Sequence, residues 1–227
     1  MLNQERYMAL LEQKAVREKS SDTNCTALVT DPAVIAGFEK ESGLTVGVLE
    51  NPPYYNFCMD VYRAGKTDKL FRYCNVSYNR SGAAILVVLR TGEEKCFLLN
   101  RQYRPLLQKT VFEIPRGFAD PDDPDAVSTA IRELAEETNI QIGQDLRLIR
   151  LGAVNPDSGL SNNEVVLFVA EICAEKLPAL RVQDENETII GHTIVSETEM
   201  CRMIAGDQIT DAFTLAAFAK YRCITKE

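Results

Sequence analysis

Apolar and polar positions along this chain follow two different periods. Leu2, Met8, Leu10, Leu11 and Ala15 recur among charges and predict a helix over residues 2–19. A polar break follows at residues 20–24. Asp31 before Pro32 then predicts a second, shorter helix, with Asp as cap and Pro in the first turn, ending near Gly43. Asn51-Pro52-Pro53 interrupts the chain. Residues 54–62 and 70–78 read as strands around a loop containing Gly65, and a boundary falls near residues 79–82. The longest apolar run, residues 83–89, and the segment 96–103 beyond Thr91-Gly92 predict a hairpin. A short strand over 111–114 stops at Pro115. A helix over 124–139 is expected to start at an Asp123 cap with Pro124 in its first turn. Strands follow over 146–154, 165–172 and 189–195. Ser196 and Glu199 form a capping box, Glu199 reaching back, for a helix that stops at a left-handed Gly206. A last helix starts near Thr210 or Asp211 and runs toward Arg222. The order predicts an α/β fold with an N-terminal extension over 1–80 and a main domain over 81–227.

Composition narrows the chemistry. Of 227 residues, 25 are Lys or Arg and 33 are Asp or Glu, a formal net charge of −8. An acidic chain is a poor generic nucleic-acid binder, because such binding rests on phosphate neutralisation. A small anion can still bind if cations mediate the contact. No apolar run approaches the ~20 residues of a membrane span, and the N-terminus has no apolar segment of the secretory type. Seven cysteines, an odd number without a C-x-x-C pair, point to free thiols, buried or half-buried, and to a reducing cytoplasm. The lone histidine, His192, reads as a sheet residue. It excludes multi-histidine metal sites within one chain.

The richest segment is RGFADPDDPDAVSTAIRELAEETNI, residues 116–140. At about 100° per residue, Val127, Ile131, Leu134 and Thr138 fall together as the buried stripe. Glu133, Glu136 and Glu137 gather on the other side. Neighbouring like charges repel, and Arg132 offsets part of this by pairing with Glu136. Divalent cations among the carboxylates would offset the rest, and Mg²⁺ takes such oxygen ligands.

A glycine loop followed by R-E-L-x-E-E resembles the Nudix box, the signature of hydrolases of nucleoside diphosphates linked to other moieties. Arg132, Glu133, Leu134, Glu136, Glu137 and Ile140 match its second half. The stretch from Gly117 to Arg132 is one residue longer than the family pattern. Its first glutamate is absent, with Asp122, Asp123 or Asp125 nearby, and its last glycine is Asn139. Arg101-Gln102-Tyr103-Arg104, Glu113-Ile114-Pro115-Arg116-Gly117, Pro156, Asp184-Glu185-Asn186-Glu187 and the 206–217 segment are similar to the ADP-ribose pyrophosphatase branch, which has Pro-Ala-Gly where this chain has Pro-Arg-Gly. The likeness runs over residues 45–222.

The resemblance implies an α/β/α sandwich with a mixed sheet and an N-terminal extension that helps form a homodimer. It implies Mg²⁺ or Mn²⁺ bound by Glu133, Glu137, Glu136 and the backbone carbonyl of Arg116. It implies Glu185 and Glu187 as catalytic residues of a loop over the site, one the base and the other a mobile metal ligand. Arg104, Arg101 and Glu164 are substrate-binding candidates. On a regular strand residues 101 and 104 face opposite sides, and Arg104 is preferred. Tyr54, Tyr55 and Phe57 read as core residues, with base stacking as the other reading. The expected activity is hydrolysis of the diphosphate of a nucleoside diphosphate sugar, ADP-ribose first, in the cytoplasm, without nucleic acid or membrane. Two other readings are another nucleotide-sugar or dinucleotide substrate and a silent nucleotide-binding module.

Overall fold

A computed structural model describes residues 4–17, 26–50, 54–141, 147–182 and 188–225. The chain divides into two units. The first comprises residues 1–80 with Asp157–Asn163, and the second comprises Ser81–Pro156 with Glu164–Glu227.

The first unit contains α1 (Gln4–Arg17), β1 (Ala27–Leu28), α2 (Pro32–Ser42), β2 (Gly47–Glu50), β3 (Tyr55–Arg63) and β4 (Leu70–Tyr78). As expected, Asp31 caps α2 and Gly43 ends it in the left-handed region. β3 pairs antiparallel with β1, β2 and β4. Tyr7 and Leu11, one turn apart on α1, are buried with Val48, Cys58 and Val61. Asp60 lies fully buried on β3. It accepts hydrogen bonds from Tyr7 Oη (3.0 Å) and Asn75 Nδ2 (2.7 Å) and pairs with Lys14 Nζ (2.5 Å). The segment 157–163 adds a bridge between Val76 and Ser161 and a bond from the Val76 amide to the Leu160 carbonyl. Tyr54 and Phe57 correct the core expectation, because both rings are about two-fifths exposed.

The second unit contains β5 (Gly82–Thr91), β6 (Glu94–Arg104), β7 (Lys109–Glu113), β8 (Arg116–Phe118), α3 (Ala126–Thr138), β9 (Arg147–Val154), β10 (Val165–Cys173), β11 (Ile189–Ser196), α4 (Glu197–Ala205) and α5 (Ala212–Ile224). The strand order is β11-β6-β5-β10-β9, with β7 on β6 and β8 on β5. Among the described residues of this sheet, only the β5–β10 pair is parallel, so the sheet is mixed. The apolar run of β5 is buried on both faces. Ala84, Leu86 and Val88 pack with α4 and α5, while Ala83, Ile85 and Val87 pack with Ala130 and Leu134 of α3. Period-two alternation thus feeds two cores from one strand and gives the α/β/α sandwich.

Several local expectations need correction. α3 starts at Ala126 with Asp125 as its cap, because Asp123 is drawn away to Arg132. Val127 is 40% exposed, and the buried side of α3 instead includes Thr129, Ala130, Glu133, Leu134, Glu137 and Thr138. Ser196 caps α4 as expected, but Glu199 turns its carboxylate to Arg202 instead of reaching back. Gly206 ends α4 at φ −97°, and the left-handed residue is Asp207. Cys74, Cys173 and Cys223 are exposed, not half-buried. No helix among the described residues is long and apolar enough to cross a membrane.

Candidate active site

Helix α3 brings Glu133 and Glu137, one turn apart, onto the backbone at the start of β8. Glu137 is buried. Its Oε2 accepts from the Asn100 side-chain amide (2.6 Å) and from the Arg116 backbone N–H (3.2 Å). Glu133 is also buried, and its carboxyl group lies against Gly117 so closely that a Cβ there would overlap it. Any other residue there would force the Glu133 carboxylate to swing away from this position. The two carboxylates therefore flank the Arg116–Gly117 segment. Glu136 faces outward and pairs with Arg132 (2.8 Å), the pairing its i, i+4 spacing predicts.

Arg132 organises the loop before the helix. It donates to the Phe118 carbonyl (2.8 Å) and to Asp123 (3.0 Å), and it pairs with Glu133 (2.8 Å) as well as Glu136. Burial opposes its charge, but Asp123, Glu133 and Glu136 outweigh burial and raise its pKa. Hydrogen bonding to Arg132 in turn holds Asp123 below the usual carboxylate range. A turn closes between Asp120 and Asp123, the Asp123 amide donating to the Asp120 carbonyl (3.0 Å). Of the three nearby aspartates, Asp123 is the one that holds Arg132, while Asp125 caps the helix. Asn139 ends α3 in the left-handed region, at φ +66°, where a glycine would otherwise be favoured.

A second cluster adjoins the first through Arg116. Its side chain donates to Glu113 (2.9 Å), lies 3.7 Å from Asp211 and covers the Phe213 ring at 4.8 Å. Arg104 grips the same Glu113 with two donors. Burial works to raise the pKa of Glu113, but Arg104 and Arg116 prevail and lower it. Asp211 caps α5, and Thr214 Oγ1 accepts from the Ile114 amide (3.0 Å), so the helix fixes the strand end. Arg104, Leu106, Leu107, Val111, Glu113 and Arg116 line a cavity of about 440 Å³ together with the start of α5.

Arg101 and Arg104 do lie on opposite faces of β6. Asn100 and Gln102 are buried on the face of Arg104, and Arg101 is exposed. Glu164 is exposed just before β10. Glu185 and Glu187 lie outside the described residues. His192 is a sheet residue on β11, as read, but its Nε2–H donates to the Glu137 backbone carbonyl (2.8 Å) and pins α3. The sequence assigns no role in the site to Asn100, Glu113 or His192, and it offers Asp123 only as one of three aspartates. Asn100 was detectable, since a buried-phase amide directly after Phe97-Leu98-Leu99 breaks an apolar strand. Asp123 was not, because three aspartates fit equally.

A hard divalent cation suits this arrangement. The donors are oxygens, the Glu133 carboxyl group lies directly against Gly117, and the buried Oδ1 of Asn100 has no protein partner. Among the described residues, no group of three or more Asp, Glu, His or Cys side chains is placed to hold a metal ion by itself. Mg²⁺ commonly takes one or two carboxylates and completes its shell with waters and substrate phosphate.

The fold and the site together define an α/β/α domain that presents paired buried carboxylates against the Arg116–Gly117 backbone of β8. Residues 80–212 match the NUDIX domain. The chain belongs to the Nudix family, whose members hydrolyse nucleoside diphosphate derivatives and generally use divalent metals. It is 33% identical over 76 residues to "Nudix hydrolase 14, chloroplastic" of Arabidopsis thaliana, covering 34% of this chain and a quarter of that protein. It is 32% identical over 139 residues to "Methanol dehydrogenase activator" of Bacillus methanolicus, covering 61% of this chain and 71% of that one.

Proposed function

We propose that this protein hydrolyses the diphosphate linkage of a nucleoside diphosphate sugar, with ADP-ribose the first substrate to test. The observation that carries the reading is the pair of buried carboxylates, Glu133 and Glu137, held against the Arg116–Gly117 backbone. Glu133, Glu137 and the Arg116 carbonyl would hold Mg²⁺ or Mn²⁺, with Glu136 as a further ligand. Bound there, the cation neutralises the diphosphate and stabilises charge developing at phosphorus. Arg132 keeps the helix and loop in register around the carboxylates. Arg104 orients phosphate or ribose through a planar guanidinium, which Glu113 holds ready. Arg101 and Glu164 are the other substrate contacts in this reading. Glu185 or Glu187 positions the attacking water and accepts its proton at a carboxylate oxygen. Products are a nucleoside monophosphate and a sugar phosphate. The enzyme acts as a homodimer in the cytoplasm.

A specific observation favours a second substrate reading. The Arg116 side chain occupies the space at Glu113, Asp211 and Phe213 where the ADP-ribose branch carries alanine. A different nucleotide sugar would then be preferred. A panel of nucleoside diphosphate sugars and dinucleotides with Mg²⁺ tests both, comparing the parent with Glu137→Gln. The expected result is cleavage by the parent and a kcat about 100-fold lower or less in the variant, since cation stabilisation contributes several kcal/mol. Preference for another sugar by orders of magnitude selects the second reading. No cleavage of any compound, with binding retained, overturns both in favour of a binding module.

A further inference from the structure

Asn100 sits in the middle of β6, in register with His192 of β11 on one side and Glu113 of β7 on the other. It is 1% exposed. A buried amide in a central strand is costly unless both its ends are satisfied. Only one end is. Nδ2 donates to Glu137 Oε2 at 2.6 Å, while Oδ1 is buried with no protein partner. The amide cannot profitably be turned over, because Oδ1 would then face the Glu137 carboxylate oxygen, acceptor against acceptor. The same Oε2 already receives the Arg116 N–H, so both donors restrict how that carboxylate turns.

We infer that Asn100 is a positioning residue for the cation site: its Nδ2 fixes the Glu137 carboxylate, and its Oδ1 is the acceptor reserved for water that arrives with a hydrated divalent cation. The inference rests on the cation reading of Glu133 and Glu137. It explains two things together. An orphaned acceptor persists inside the sheet because loading the site supplies its donor. A strand otherwise built from Phe97, Leu98 and Leu99 carries an amide at the one position that reaches Glu137. Groups of this kind tune metal affinity without ligating the metal.

The test is Mn²⁺ binding without substrate, followed by electron paramagnetic resonance, in the parent, Glu137→Gln, Asn100→Leu and Asn100→Ser. The parent is expected to bind and Glu137→Gln to lose binding. Asn100→Leu should bind about 10- to 100-fold more weakly, with Asn100→Ser in between because its hydroxyl restores an acceptor. A parent that binds no Mn²⁺ overturns the cation reading, and this inference with it. A parent that binds, with Glu137→Gln defective and folded Asn100→Leu within twofold of the parent, overturns this inference alone. Should neither Asn100 variant fold, the unmutated protein decides. The ¹⁵N side-chain amide signal of Asn100 should move on Mg²⁺ titration with the midpoint of site saturation, and a stationary signal overturns the proposal.

Discussion

Each unit buries acid, and the two do so in different ways. In the first unit, Asp60 meets an ammonium at 2.5 Å, a phenol and an amide. Its charge is neutralised where it lies, and it ties α1 to β3 and β4. Burial and the neighbouring Asp60 push the Tyr7 phenol well above its usual range, so it stays a donor. In the second unit, Glu137 is held by neutral N–H donors, from a side-chain amide and a backbone. These donors orient the carboxylate, and its charge also acts on the Arg104 guanidinium, helping to raise the Arg104 pKa. Arg132 touches Glu133, but it also serves Glu136, Asp120 and Asp123. The first arrangement is a structural lock, and the second is the one that the proposed cation reading would draw on.

The largest effect is expected from Lys14→Met. It leaves Asp60 charged, buried and without its ammonium, which costs about 3–5 kcal/mol in urea unfolding. Mn²⁺ affinity of the folded variant should stay at the parental value. A lost affinity would break the comparison, since Asp60 would then serve the cation as well. Gly117→Ala is next. Its Cβ must displace the Glu133 carboxylate, costing about 1–3 kcal/mol, and Mn²⁺ affinity should fall along with stability.

Glu113→Gln should cost about 1–2 kcal/mol near neutrality, reduced from the usual value for charged hydrogen bonds because Arg104 and Arg116 are partly exposed. The sign of its pH dependence follows from its lowered pKa. The stabilisation is complete above the ordinary carboxylate value of 4.5 and is lost as pH falls through the lower folded value. In acid titrations of stability, parent and variant curves should therefore converge below about pH 4.5. A constant gap would show that packing, not charge, fixes Arg104. The smallest effect is expected from His192→Ala. It removes one hydrogen bond to the Glu137 carbonyl, costing about 1 kcal/mol of stability, with a smaller loss of Mn²⁺ affinity than in Gly117→Ala.

Much of the fold was legible in the chain because the signals are local. Asp31-Pro32 and Gly43 bound α2 by their own backbone preferences. The apolar run at β5 announced a strand, and the structure then buried it on both faces. The helical wheel of α3 misled in part, because it put Val127 in the buried stripe and the glutamates on the side opposite to it. The structure buries Glu133 and Glu137 and exposes Val127. A wheel reports which residues share a side, and not what that side meets. Here it meets β8, whose Gly117 makes room for a carboxylate.

The sequence by itself determined the order of elements, the Arg-Glu-Leu-x-Glu-Glu spacing on a helix, and the glycine that precedes it. Those follow from short-range sterics and from the helical repeat. Only the tertiary structure decided that Asp123, of three aspartates, holds Arg132, and that Asp125 caps the helix. It also decided that Asn100, 37 residues from Glu137, and His192, 55 residues from it, both fasten that residue. It grouped segment 157–163 with the first unit. Such pairings depend on which strands lie side by side, and sheet register is set by long-range packing that no local spacing encodes.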